Sequence, residues 1–186
     1  MIFMFQVVHP EKVSAQDGFM ASNVTTGSGT FSFGIQPVLF TQTKSDYMLF
    51  LRAGYGLSAG TDLEFKAGFQ DDTVYLGGHL QYSLPVVHSF PMHFSFQLGG
   101  YHMDHPGGKA GFITAFMIDT FVLYTGVNYK PMFLDDDEML HPVTMPVGVH
   151  IPLTTASGSF FFETNLGLND EGERFDSLSL GLRIYL

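Results

Sequence analysis

Four side chains capable of acid–base chemistry lie in two segments rich in turn-forming residues. His102, Asp104 and His105 fall within one segment, and His141 lies in the other. A histidine and a carboxylate can act as a general base and its orienting partner, or as weak metal ligands. No serine is well placed beside them, and residues 103–108 have the composition of a simple turn. We therefore expect no enzyme and no metal site, with a lipid-modifying or proteolytic enzyme as the alternative.

A second set of ionisable residues is balanced in sign and lies on predicted strands. On each strand these residues share a face with Gly, Ser, Gln, Asn and His. Ion pairs among them would fill a narrow barrel and fix its shape, or would line a thin path for small solutes. The balance of sign favours a filled interior. The set consists of Arg52, Asp62, Glu64, Lys66, Glu163 and Arg183.

Ten segments of alternating side chains would position these residues. Side chains point to opposite faces of a β-strand in turn, so the leucines and isoleucine at 178, 180, 182, 184 and 186 share one face. We find no stretch with helical spacing. Prolines 37, 146 and 152 predict bulges or strand ends. The segments are 31–39, 47–57, 62–69, 74–83, 92–99, 111–118, 123–130, 143–151, 160–167 and 175–186.

The composition restricts the class of protein. Charged residues make up 14% of the 186 residues, against about a quarter in soluble domains, while there are 20 Phe and 21 Gly. The net charge of −10 and the scattered Lys and Arg argue against nucleic acid as a partner. Cysteine is absent, which excludes disulfides and thiolate metal sites.

The polar faces of the segments indicate the solvent around the protein. A soluble barrel needs Lys and Glu on its outer face, whereas these faces carry mostly small or uncharged residues. Transmembrane strands have about 9–11 residues, and the length of the segments fits a barrel with lipid outside and polar residues inside. We predict a single closed antiparallel up-and-down transmembrane barrel of about ten strands, with eight to twelve possible. A soluble lipocalin-like carrier, with the apolar face lining a ligand cavity, is the alternative.

The connections between segments support this prediction. Most acidic residues of the connections follow odd-numbered segments, whereas the remaining connections contain Asp119 as their only acidic residue. Such segregation is expected when the two ends of a barrel meet different surroundings. The acidic connections contain Asp71, Asp72, Asp104, Asp135, Asp136, Asp137, Glu138, Asp170, Glu171 and Glu173.

The chain resembles small bacterial outer-membrane β-barrels of the porin-like superfamily. Gly181, Ile184, Tyr185 and Leu186 are similar to the C-terminal insertion signal of that family, with Leu where the family usually has Phe. The resemblance implies a multi-pass protein of the bacterial outer membrane, with outer-membrane lipids and the barrel-assembly machinery as partners. It implies a structural or porin-like function with limited passage of small solutes, and leaves the oligomeric state open. We expect no cofactor.

The N-terminus has features of an export signal. Residues 1–8 are apolar, and Val13 and Ala15 have the −3 and −1 spacing of a cleavage site before Gln16. We predict a clipped or atypical signal at 1–16, with an ordinary terminus as the alternative. The barrel domain is expected at 17–186. Because Trp is absent, Tyr47, Tyr55, Tyr82 and Tyr129 are expected at the membrane interfaces.

Overall fold

The computed structural model describes residues 26–41, 47–70, 73–84, 92–134, 138–153 and 157–186. The proposed export signal lies outside these residues. No helix in the described part of the chain is long and apolar enough to cross a membrane. The strands are β1 (Phe31–Phe40), β2 (Tyr47–Ser58), β3 (Thr61–Gln70), β4 (Thr73–Ser83), β5 (Met92–Met103), β6 (His105–Ile118), β7 (Phe121–Tyr129), β8 (Met132–Phe133), β9 (Met139–Leu140), β10 (Val143–Pro152), β11 (Gly158–Gly167) and β12 (Ser177–Tyr185).

The ten long strands close into one antiparallel barrel. Strands β1 to β7 pair in chain order, β7 pairs with β10, and β11 and β12 follow. The barrel closes because β12 also pairs with β1, from Ser32 opposite Tyr185 to Phe40 opposite Ser177. This confirms the predicted up-and-down barrel of about ten strands. The short strands β8 and β9 pair with each other, and β8 joins β6 at Gly107.

The hairpin of β5 and β6 is longer than the sequence pattern predicted. Residues 103–109 were expected to form a connection, but the ladder continues to Met103 opposite His105, with Asp104 at the tip at φ 60°. Gly107 permits this extension because a Cβ there would lie 2.4 Å from the Tyr101 ring. The ring thus covers the backbone of the neighbouring strand, as aromatic residues do beside strand glycines.

Two of the three prolines occupy strands without a bulge. On both sides of Pro37 the pairing of β1 with β12 keeps one register, and the pairing of β10 with β7 does so around Pro146. Each proline pairs normally on its other side, with Leu49 and Asn165 respectively. The expected bulges are therefore wrong at these positions, because the missing N–H affects only one ladder. Pro152 ends β10 as predicted.

The barrel has two different ends. The loop end carries the connections after β1, β3, β5, β7 and β11, and the turn end carries the other connections, residues 26–30 and Leu186. Asp104, Glu138, Asp170, Glu171 and Glu173 lie at the loop end, and Asp119 lies in a turn at the opposite end. The predicted acidic residues at 71, 72 and 135–137 are outside the described residues.

The alternating pattern separates an apolar exterior from a polar interior. Large apolar side chains of every long strand point outward and are exposed, as Leu51, Phe65 and Leu180 illustrate. The opposite face is turned inward and is buried. Its polar members include Ser32, Gln36, His79, Gln81, Ser95, Gln97, Asn128, Thr144, His150, Ser159, Ser177 and Ser179.

Candidate functional site

Four predicted interior charges meet inside the barrel, and we call them the ionic cluster: Arg52, Glu64, Lys66 and Arg183. The guanidinium groups of Arg52 and Arg183 both donate to Oε2 of Glu64, and Nζ of Lys66 lies 3.4 Å from Oε1. All four side chains are almost fully buried. A buried carboxylate that is paired with cations avoids the large desolvation cost of a lone charge.

Small residues allow Arg183 to reach Glu64 from a distant strand. Arg183 lies on β12 and Glu64 on β3, with β1 and β2 between them. The two residues on the direct route are Gly34, opposite both arginines in the ladders, and Gly54, opposite Glu64. A Cβ at Gly54 would lie 3.4 Å from Nη2 of Arg183 and 2.6 Å from Ser32 Oγ. The absence of side chains at these glycines leaves room for the arginine.

Two other predicted members lie apart from Glu64. Asp62 accepts a hydrogen bond from the main-chain N–H of Thr26, which precedes β1. Glu163 on β11 accepts hydrogen bonds from the Tyr124 hydroxyl at 2.9 Å and from Nδ2 of Asn165 at 2.8 Å. The six predicted residues are all buried in the barrel, but they divide into one ion-paired group and two separately hydrogen-bonded acids.

Large side chains fill the middle of the interior. Phe161 covers Gly181, where a Cβ would lie 2.0 Å from the ring, and the guanidinium of Arg52 lies 5.5 Å from the centre of the same ring. Nε2 of Gln97 donates to Oε1 of Gln81 at 2.7 Å. A barrel of about ten strands leaves little space beyond such side chains. Fully buried large residues here include Tyr124, Phe161, Ile113, His150, Gln36, Gln81, Glu163 and Arg183.

Above this filled region, towards the loop end, lies a cavity of about 70 Å³ that we call the cationic cavity. Three lysines, Lys66, Lys109 and Lys130, line it, and no carboxylate among the described residues does. Its other lining residues are Val38, Phe40, Phe50, Tyr75, Tyr101, Met103, Asn128, Asn165, Phe175 and Ser177.

The sequence pattern does not identify Lys109 as an interior residue, because residues 103–109 have the composition of a connection. The alternation along β6 indicates its position: Lys109, Gly111 and Ile113 are alternate residues of one strand and therefore share its inward face. Among the described residues, the interior and the lining of the cavity together hold five cationic residues against three carboxylates. The predicted set of six was balanced, whereas this larger described set has an excess of positive charge.

Lys130 follows β7 at the loop end and is held against an aromatic ring. Its Nζ lies 4.8 Å from the centre of the Phe175 ring. Burial lowers the pKa of Lys130 to about 8, and the charge of Glu163 partly opposes that change. Lys130 is therefore mainly protonated at neutral pH and loses its charge in mildly alkaline solution.

An aromatic wall forms one side of the cationic cavity. The rings of Tyr75 and Tyr101 stack with their centres 5.8 Å apart, and Phe50 meets Tyr75 edge-on at 5.2 Å. The Tyr101 hydroxyl donates to the carbonyl oxygen of Lys130 at 3.1 Å, which fixes the wall to the lysine-bearing segment. The cavity therefore combines ammonium groups with an apolar surface.

The candidate catalytic residues do not form one site. His102 and Asp104 are exposed at the tip of the β5–β6 hairpin. Nδ1 of His141 lies 2.7 Å from the Tyr129 hydroxyl, and the main-chain N–H of His141 donates to Glu171. Within the described residues no hydrogen bond joins His141 to the other three, and no group of His, Asp and Glu is arranged to hold a metal ion.

The four residues of the predicted insertion signal lie on or just after β12. Gly181 faces inward beneath Phe161, and the Tyr185 hydroxyl lies 3.0 Å from Ser159 Oγ. Ile184 and Leu186 point outward and are exposed. The main chain of Leu186 exchanges two hydrogen bonds with Phe31, so the last strand is paired to its end.

No protein-family model and no curated protein matches this chain. Among solved structures, a chain described as "De novo design of transmembrane beta-barrels" is similar to it, with a TM-score of 0.44 and 10% sequence identity. The similar region covers 88% of this chain and 100% of the other.

Proposed function

We propose that this chain is an integral β-barrel of a bacterial outer membrane, with a structural role and an interior closed by side chains. The observation that carries the proposal is the apolar exterior. Thirty-six large apolar side chains of the described residues are exposed. Transfer of each from water to hydrocarbon is favourable by on the order of 1 kcal/mol. Together these side chains favour a hydrocarbon solvent around the barrel.

The distribution of tyrosines supports insertion into a bilayer. Tyr47 and Tyr129 project outward near the loop end, and Tyr55 and Tyr82 lie near the turn end. Aromatic rings with a polar tip are favoured at the two membrane–water interfaces. The aliphatic surface between these tyrosines then lies in the hydrocarbon.

An outer membrane is favoured over other membranes by the barrel type. Ten long strands is an even number, and two connections at the turn end, residues 59–60 and 119–120, are only two residues long. These are features of single-chain outer-membrane barrels. The barrel-assembly machinery is the corresponding proposed partner, and outer-membrane lipids surround the strands.

The filled interior favours a structural barrel over a porin-like one. The ionic cluster and the buried Tyr124, Phe161 and Gln81 occupy the middle of the barrel. Ion movement past them would require the separation of buried pairs, which is costly. We therefore infer little or no passage of solutes in the folded state.

Membrane insertion is tested by purification with and without detergent. The folded chain should require detergent or lipid to stay in solution, and should migrate differently on a gel before and after boiling. A folded monomer that is stable in aqueous buffer without detergent would contradict membrane insertion and revive the soluble carrier.

The closed interior is tested by electrical recording in a planar bilayer. The parent protein should give no steady conductance. A variant in which Arg52, Glu64 and Arg183 are all changed to Ser provides the control, because removal of the ionic cluster should open a detectable path. Steady conductance from the parent would overturn the closed interior and favour a porin-like function.

A further inference from the structure

We propose that the cationic cavity is a binding site for a small organic carboxylate. The carboxylate group of this ligand would contact Lys109 and Lys130, and its apolar part would pack against the aromatic wall. The inference goes beyond the structural role proposed above. It needs a folded barrel but no bilayer, so its outcome is separate from that of the detergent test.

The charge inside the cavity supports an anionic ligand. Lys66 shares Glu64 with two arginines. Within the described part of the chain, no carboxylate forms an ion pair with Lys109 or Lys130. Lys109 and Lys130 are half-buried, and a cationic group withdrawn from water is usually paired, because an uncompensated charge in a low-dielectric environment is costly. An anion in the cavity would supply the missing negative charge.

The location of this charge is unusual for the protein. The chain has a net charge of −10, and the described acidic residues outside the barrel are concentrated at the loop end. Three of the eight Lys and Arg residues of the sequence nevertheless line one cavity at that end. Local positive potential within a cleft raises the concentration of anions there, even when the net charge is negative.

The walls and the volume favour an organic anion over an inorganic one. Phe50, Tyr75 and Tyr101 provide an apolar surface on one side, and the lysines provide donors. The cavity of about 70 Å³ would accommodate roughly five water-sized groups. That volume suits a short carboxylate.

Binding is tested with propionate on the folded full chain in uncharged detergent micelles. Saturation-transfer NMR detects weak binding, and titration gives the dissociation constant. Propionamide has nearly the same shape without charge, and inorganic phosphate has charge without an apolar part. We expect propionate to bind, phosphate to bind more weakly, and propionamide to show no saturable signal.

Variants connect the binding to the lysines. Lys109→Gln and Lys130→Gln should each weaken propionate binding about tenfold, because each removes a charge-assisted hydrogen bond. Arg174→Gln is the matched control: it removes the same charge at the loop end from an exposed residue outside the cavity. It should bind propionate as the parent does. The gel shift on boiling verifies that each variant is folded.

Four results would overturn the site. They are no binding of propionate to the parent, equal binding of propionamide, tighter binding of phosphate than of propionate, and unchanged binding in the folded lysine variants. If one lysine variant fails to fold, the other gives the same test.

Discussion

Arg183 of β12 and Glu64 of β3 are 119 residues apart in the sequence and form an ion pair across the interior of the barrel. The pair spans β1 and β2, and Arg52 joins it from the second of these strands. One carboxylate thus connects the last strand to the first hairpins on the inside, while the β1–β12 ladder connects them in the wall. Two kinds of interaction therefore stabilise the closure of the barrel: the main-chain hydrogen bonds between β1 and β12, and the buried ion pairs of Glu64.

Glu64→Gln is expected to destabilise the barrel by about 3–5 kcal/mol, because it leaves Arg52 and Arg183 buried without their carboxylate. Urea unfolding in detergent micelles measures the change in free energy. Glu173→Gln is the control, since Glu173 is exposed beside the loop end, and its effect should stay within about 0.5 kcal/mol. Similar losses in both variants would show that the ionic cluster contributes no specific stability.

Gly181→Ala is expected to destabilise the barrel by about 1–3 kcal/mol, because the added Cβ would lie 2.0 Å from the Phe161 ring. In a Phe161→Leu background the same substitution should cost less, since the ring has been removed. Thermal shifts of the folded band on unboiled gels give the comparison. Gly27→Ala, with its nearest contact at 3.4 Å, should be nearly neutral. A cost that does not depend on Phe161 would refute the packing explanation.

Leu51→Arg is expected to cost about 2–4 kcal/mol in lipid vesicles, and Leu57→Arg about 0–1 kcal/mol. Both leucines are on β2 and nearly equally exposed, but Leu51 lies in the middle of the strand and Leu57 near its turn end. In water the two substitutions should differ little, because both positions already face the solvent. Equal effects in vesicles would place the β2 surface outside the hydrocarbon.

Lys130 should make stability depend on alkaline pH. Burial lowers the pKa of its folded state to about 8 from the usual 10.5, so the unfolded chain holds the extra proton between these values. Stability should therefore rise as the pH increases from about 8 to 10.5. Lys130→Met should reduce that rise, whereas Arg174→Gln should retain it in full. Denaturant titrations at pH 7, 9 and 10.5 would measure it, and an unchanged slope in Lys130→Met would contradict the assignment.

The fold was largely predictable because a strand has a period of two. Alternation in 175–186 predicted β12 and its outward leucines, and the same pattern found the other long strands. The exceptions were local. The end of β5 and the start of β6 look like a turn in sequence, because Gly107 and Gly108 carry no side chain that alternates. Only the ladder and the Tyr101 ring reveal the extended hairpin.

The candidate sites were less predictable, because a side chain's face does not specify its partners. The sequence pattern places Asp62, Glu64 and Glu163 in the interior, but it does not show which cation, if any, pairs with each carboxylate. In the structure Glu64 forms ion pairs with two arginines, whereas Glu163 accepts hydrogen bonds from Tyr124 and Asn165. Strand stagger and the space left by Gly34 and Gly54 decide this, and neither is encoded in a local pattern.

By itself the sequence determined the strands, the two faces of each strand and the number of strands, because these depend on a local period and on composition. The tertiary structure alone decided that Lys109 and Lys130 converge with Lys66 on one cavity, and that Arg183 reaches Glu64. The physical reason is that closure of the sheet fixes the register of every strand against the others. That register brings charges from distant parts of the chain to the same depth in the interior.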